Sequence, residues 1–348
     1  TSKIRTKMKL KERLALLVKL GVYLEEDTTE RQLAIAQTER NNRWLTKENS
    51  LAALESFAKE FLTLEHLEAW VKGYPELKVD RSPIKIGLVL AGNIPAVGFH
   101  DVLTTFVAGH QAMIKYSEKD QYLIPYMIAF LLKEDPRSAA YFISVFKLKD
   151  FDAVIATGSN NSAMYFEQYF NKYPNIIRKN RNSIAVLDGT ETEEELLALG
   201  EDVFAYFGLG CRSVAKLYVP EKYDFSPFLS LMDIHHKELM NHNKYNNNYD
   251  YNRSIYLLNN VPHLANDCLM LLEHENLLSR ISSVHYEYYK NIENLEEKLE
   301  GVKEQIQCIA TKMNLPKQNT VALGQAQHPA LNDYADGVDT LQFLIELQ

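Results

Sequence analysis

Apolar residues recur at helical spacing early in the chain: in "LAALESFAKEFLTLEHLEAWVKGY", Leu51, Leu54, Phe57, Phe61 and Leu64 share one face, with charged residues between them. Such a face packs against another layer, and residues 1–80 read as helical. After "RSPIKI" the period changes. The stretch "IGLVLAGNIPAVGFHDVLTTFVAGH" reads as a buried strand, a Gly-Asn-x-Pro turn and a helix with Pro95 near its first turn. The alternation continues with a strand in "QAMIKYSEKD" ending at Tyr116, a helix in "QYLIPYMIAFLLKED" and a strand in "AAYFISVF". "FDAVIATGSNNSAMYFEQYF" adds a further strand, turn and helix. Repeated βα units of this kind predict a mainly parallel sheet with helices on both faces.

Beyond these units, "NSIAVLDG" reads as a strand and "TETEEELLALGEDVFAYF" as a helix whose early glutamates suit its N-terminus. "VAKLYVP", "SSVHYEYY", "EQIQCIATK" and "NTVAL" are further candidate strands. The Asn- and Tyr-rich "NHNKYNNNYDYNRS" reads as a polar loop or irregular helix end. A domain change is expected near Gly189, where the first set of units ends.

Composition narrows the classes. The chain has 348 residues, 46% of them hydrophobic, enough for two domains with sizeable cores. A net charge of -8 gives no general attraction for phosphate backbones, so nucleic acid is not an expected partner. The opening "TSKIRTKMKLKERLALLVKLGVYL" never sustains the apolar run of a signal or membrane span, and the expected location is the cytoplasm. Cys211, Cys268 and Cys308 are far apart, without a Cys-x-x-Cys pair, which argues against disulfides and a zinc site. No metal is expected.

In open parallel sheets, ligands bind beyond the carboxyl ends of strands, where helix starts present amides to anions. Three such turns occur here. "LVLAGNIPAV" offers Asn93, "IKYSEKD" offers Lys115 and Glu118, and "VIATGSNNS" offers Gly158 and Ser159. None matches Gly-x-Gly-x-x-Gly or a P-loop. A lone cysteine is usually an apolar filler, and Cys268, read on an apolar helical face, and Cys308, in a strand pattern, fit that reading. Cys211 follows "FGLG", where glycines permit close backbone approach and amides beside the sulfur can activate a thiolate and hold an oxyanion. His235, His236 and His242 lack a carboxylate at a useful offset and read as a polar helix face, and His274, between two glutamates, reads the same way.

Taken together these residues resemble the aldehyde dehydrogenase superfamily, in its fatty acyl-CoA reductase branch related to the bioluminescence reductase. "AGNIP" is similar to the superfamily's oxyanion turn at Asn93 and Pro95, and "KYSE" to its Lys-Pro-Ser-Glu at Lys115, Ser117 and Glu118. "ATGS" matches its Phe-Thr-Gly-Ser at Thr157 to Ser159, and "FGLGC" its nucleophile motif at Cys211. "LGQAQHPALNDYADGVDT" looks like the branch's C-terminal signature.

The resemblance implies an α/β, aldehyde-dehydrogenase-like fold. Residues 1–80 would be a helical segment packed on a parallel-sheet nicotinamide-nucleotide-binding domain at 81–189, followed by a second α/β catalytic domain at 190–348. It further implies that Lys115, Ser117 and Glu118 face the adenosine ribose, that Gly158 and Ser159 face the pyrophosphate, and that Asn93 with the Cys211 amide holds the oxyanion. Cys211 would take an acyl group from acyl-CoA or an acyl carrier, and a reduced nicotinamide, NADPH with NADH as alternative, would convert it to an aldehyde. The superfamily's water-activating glutamate corresponds to Ile177, and no carboxylate lies between Asn171 and Leu187, which suits reduction over hydrolysis. A homo-oligomer, or a partner enzyme that donates the acyl group or consumes the aldehyde, is compatible with this reading. Two rivals stand beside it: a cysteine acyltransferase or thioesterase without nicotinamide, and a non-catalytic protein on the same fold.

Overall fold

The computed structural model describes residues 7–79 and 82–347, which form two compact units, Thr1–Asn180 with Pro329–Gln348 and Arg181–His328. The first unit opens with helices α1 (Leu10–Glu25), α2 (Thr29–Asn41), α3 (Lys47–Ser56) and α4 (Leu64–Lys72). Thr28, Thr46 and Thr63 each accept an amide three residues on, capping α2, α3 and α4. Leu17, Leu20, Leu54 and Leu67 from these helices lie in one core with Ile86, Leu88 and Phe106 of the following βα units. The expected boundary between helical segment and sheet at residues 80 and 81 falls outside the described residues.

The first sheet contains β1 (Lys85–Val89), β2 (Gln111–Lys115), β3 (Phe142–Ser144), β4 (Ala153–Thr157) and β5 (Asn175–Arg178). Its order is β3-β2-β1-β4-β5, all parallel. Helices α5 (Phe99–Ala108), α6 (Leu123–Glu134) and α7 (Asn160–Phe170) connect the strands. Strand order runs one way from β1 to β3 and the other way through β4 and β5, so the topological switch lies between β1 and β4. Two details differ from the sequence reading. The strand β5 was not anticipated, and α5 begins at Phe99, beyond Pro95, because residues 90–98 form a longer turn in which Ala96 takes φ 50°.

The second unit holds β6 (Asn182–Val186), β7 (Val214–Pro220), β8 (Leu264–Ala265), β9 (Met270–Glu273), β10 (Ser283–Tyr289), β11 (Ile306–Ala310) and β12 (Thr320–Val321). The order is β12-β11-β6-β7-β10-β9-β8, with only β8 antiparallel to its neighbour. Its helices are α8 (Glu193–Phe204), α9 (Ser226–Met232), α10 (His236–Asn241), α11 (Asn243–Leu258) and α12 (Ile292–Val302). The division falls between Asn180 and Arg181, not near Gly189, because β6 pairs with β7 and β11 of the second sheet. The chain end also returns to the first unit. There Trp70 Nε1 donates to Tyr334 Oη at 2.7 Å, and Arg178 bonds Asp101 at 2.6 Å and Thr340 at 2.9 Å.

Two segments of this unit differ from what the sequence pattern predicts. The Asn- and Tyr-rich stretch is the helix α11, which buries Tyr245, Tyr249, Asn252 and Tyr256, all on one helical face. Each tyrosine hydroxyl has a partner: Cys268 O, Asn266 O and the Ser283 hydroxyl. Cys268 lies in the turn before β9 and not on a helix; Met270 to Leu272 are buried on both faces, and a short apolar run carries no period that separates strand from helix. Among the described residues, no helix is long and apolar enough to cross a membrane.

Candidate active site

In the first unit, Val89 of β1 pairs with Lys115 of β2, and the Leu90 amide extends the ladder to the Lys115 carbonyl at 3.1 Å. The turns that follow these strands therefore leave the sheet side by side. They are also pressed together: a Cβ on Gly92 would lie 2.6 Å from Ser117 Oγ, so only glycine fits. Asp120, buried at the end of the second turn, accepts the Ala96 amide at 2.6 Å. Burial raises its pKa, while the amides of Ala96, Tyr122 and Leu123 pull the other way. Asn93 sits half-buried in the first turn; Lys115 and Glu118 are exposed on the second, and Ser117 Oγ accepts the Lys119 amide at 3.2 Å.

On the other side of β1, β4 ends at Thr157 and α7 starts behind Gly158 and Ser159. Ser159 is the cap of α7, accepting the Ser162 amide at 3.2 Å, so its hydroxyl starts the helix while the first-turn amides supply the capacity for an anion. Asn93, Lys115, Ser117, Glu118, Gly158 and Ser159 thus occupy the carboxyl ends of three adjacent strands around the switch point. Lysines and a carboxylate beyond one strand and a helix start beyond another are a donor set that fits a dinucleotide's ribose and pyrophosphate. Asp120, which binds the turns together, was not singled out from sequence; an aspartate just before a helix start was the available signal.

In the second unit, α8 ends at Phe204 and the chain passes through three successive left-handed residues, Tyr206 at φ 54°, Phe207 at 58° and Gly208 at 74°. Each of the two aromatic residues is strained there by about 1–2 kcal/mol. Packing over-determines the loop: Phe207 is buried and stacks on His242 at 4.2 Å, and burial raises the Tyr206 hydroxyl. Cys211 follows, half-buried, with its carbonyl accepting the Ser183 hydroxyl at 3.0 Å.

The residues after Cys211 are braced by a distant segment. Arg212 donates to Ala326 O at 3.4 Å and Gln327 to Ser213 Oγ at 3.4 Å. That segment is fixed by Asp202 of α8, fully buried, which accepts the amides of Gly324 at 2.6 Å and Ala326 at 3.0 Å. Burial pushes Asp202 up to about 6, against the two amides and His328, which lower it. The C-terminal signature is therefore divided, its first residues on Asp202 and its later ones, from Pro329, on the first unit.

None of the cysteines forms a disulfide. Cys268 is fully buried, with its thiol pushed up to about 12 by burial, and Cys308 is buried in β11. The histidines serve local structure: His242 caps α11 by accepting the Tyr245 amide at 3.2 Å, His235 lies 4.8 Å from the Phe204 ring, and His274 stacks on His285. Among the described residues, no group of three or more His, Cys, Asp or Glu could hold a metal ion. Ile177 is a half-buried residue of β5 paired with Ala156.

The sequence profile of the acyl-CoA reductase (LuxC) family matches residues 18–232, from within α1 to the end of α9. The chain belongs to this family. No curated protein matches this acyl-CoA reductase family member at a significant level. Solved structures show what fold it has. An oxidoreductase from Marinobacter aquaeolei is 10% identical, over 88% of this chain and 74% of that one, with TM-score 0.65. An aldehyde dehydrogenase from Bacillus cereus, solved as its NAD+ complex, is 13% identical over 87% and 72%, with TM-score 0.64. The propionaldehyde dehydrogenase of a Clostridium phytofermentans fucose-utilisation microcompartment, as its His387Ala mutant, is 9% identical over 88% and 79%, with TM-score 0.59. The fold of this family member is that of aldehyde dehydrogenases, and with the family match it is an oxidoreductase of the acyl and aldehyde type.

Proposed function

We infer that the protein reduces an acyl thioester, an acyl-CoA or acyl-carrier conjugate, to the aldehyde through an acyl group held on Cys211, with NADPH as reductant. The observation that carries this reading is the contrast among the cysteines: Cys211 is partly exposed beyond a strained loop, whereas Cys268 and Cys308 are buried. The first unit would hold the nucleotide, its ribose at Lys115, Ser117 and Glu118 and its pyrophosphate at the helix start behind Gly158 and Ser159. Lys115 and Lys119, exposed beside Glu118, would offset that carboxylate toward a 2′-phosphate.

In the acyl step the Cys211 thiolate bonds to the thioester carbonyl carbon, and Asn93 with the Cys211 amide takes the charge that develops on oxygen. The bond to the carrier sulfur then breaks, and the carrier thiol leaves with a proton. When bound, the reduced nicotinamide supplies the hydride. Cleavage of the Cys211 C–S bond returns the electron pair to sulfur and releases the aldehyde. The stretch from Asn171 to Leu187, without a carboxylate, supports an acyl group kept for hydride and not for water.

The test is absorbance at the nicotinamide band with a panel of acyl-CoA lengths. Consumption is expected only with acyl-CoA present, faster with NADPH than with NADH. Sustained thiol release without any nicotinamide would identify an acyltransferase or hydrolase and overturn the reading.

A further inference from the structure

We propose that Asp120 is a positioning residue for the acyl step, its carboxylate holding the turn that carries Asn93 against the turn that follows β2. This rests on the reading of Asn93 as an oxyanion donor. At least three ties join the two turns. The ladder bond from Leu90 to Lys115 fixes where they leave the sheet, and the contact of Gly92 with Ser117 fixes how close they run. The third is the 2.6 Å bond from the Ala96 amide to Asp120 Oδ2, and it is the only one of these made by a carboxylate.

That third tie sits where the turn needs holding. Ala96 takes φ 50°, a conformation a non-glycine residue leaves when nothing retains it, and Pro95 before it makes the segment from Asn93 to Ala96 stiff. Releasing the Ala96 amide would let the turn relax and carry the Asn93 side chain with it. The carboxylate is itself well aimed, because the Asp120 amide closes a turn onto the Ser117 carbonyl at 3.1 Å. Asp120 thus acts through Asn93 and has no need to touch the substrate.

A double-mutant cycle on single-turnover thiol release from an acyl-CoA tests this in the full chain, with thermal melting of every variant as a control. Asn93→Ala is expected to slow release about 10²–10³-fold, as removal of an oxyanion donor does. Asp120→Ala is expected to slow it roughly 10–10²-fold by misplacing that donor. In the Asn93→Ala background the Asp120 substitution should cost less than about threefold, because the group it positions is gone. Asp120→Asn, which keeps an acceptor for the Ala96 amide, should restore part of the rate, and it replaces Asp120→Ala in the cycle if the alanine variant does not fold. Equal losses with and without Asn93 would overturn the proposal, since a purely structural role is additive. Asn93→Ala with a wild-type rate, while Cys211→Ala releases no thiol, would instead sink the reading of Asn93 itself.

Discussion

The strand-end turns of the first unit and the Cys211 loop of the second are built on the same device with different reach. In each, a buried aspartate accepts a backbone amide at 2.6 Å close to left-handed, non-glycine residues: Asp120 to Ala96, and Asp202 to Gly324 beside the braced Cys211 loop. Asp120 joins turns that follow neighbouring strands, residues 24 apart in the chain. Asp202 joins a helix to a segment 122 residues away. Strained backbone is kept next to candidate chemistry in both, but the first site is held locally and the second depends on the whole unit having closed.

The contrast can be broken most sharply at the sulfur. Cys211→Ala should abolish acyl-dependent nicotinamide oxidation, by about 10⁴-fold or more, and leave circular dichroism unchanged; label from a radioactive acyl-CoA on Cys268 or Cys308 would move the site. Next is the tight contact of the first unit. Gly92→Ala forces a methyl against Ser117 and should cost about 1–3 kcal/mol in urea unfolding while slowing the acyl step; an unperturbed variant would mean that the two turns are free to separate.

Asp202 sharpens the comparison through pH. Burial raises it to about 6 from the ordinary 3.8, so the folded chain binds its proton more tightly than the unfolded chain does. That stabilisation is whole below about pH 4 and is lost as the pH rises through about 6, a change of roughly 3 kcal/mol. Urea midpoints of the wild type should fall across this window, and those of Asp202→Asn should lack the step. The smallest effect is expected at Lys115→Ala, which should weaken NADPH binding about 5–10-fold, read by fluorescence titration, with thiol release from acyl-CoA unchanged. Equal damage to both would show that the nucleotide lies elsewhere.

Much of the first unit was legible because its units are local. A strand, its turn and the next helix are consecutive, so "AGNIP", "KYSE" and "ATGS" announced themselves in order, and the parallel sheet places them at adjacent strand ends. In the second unit the reading was weaker for physical reasons. The helix α11 was masked by asparagines, although its buried tyrosines keep helical spacing; Cys268 was read on a helix because a fully buried short strand has no alternation. The assignment of β6 could not be read locally either, since a strand's own residues do not name its partner.

By itself the sequence determined the class of fold, the order of the strand-end turns and the cysteine that stands apart, because periodicity and turn chemistry act over a few residues. Only the tertiary structure decided that Asp120 and Asp202 are buried acceptors, that Tyr206 and Phe207 are left-handed, and that the C-terminal signature is shared by two units. Those features depend on what surrounds a residue after the chain has closed. Desolvation and backbone strain are properties of that environment, and no local window of sequence contains it.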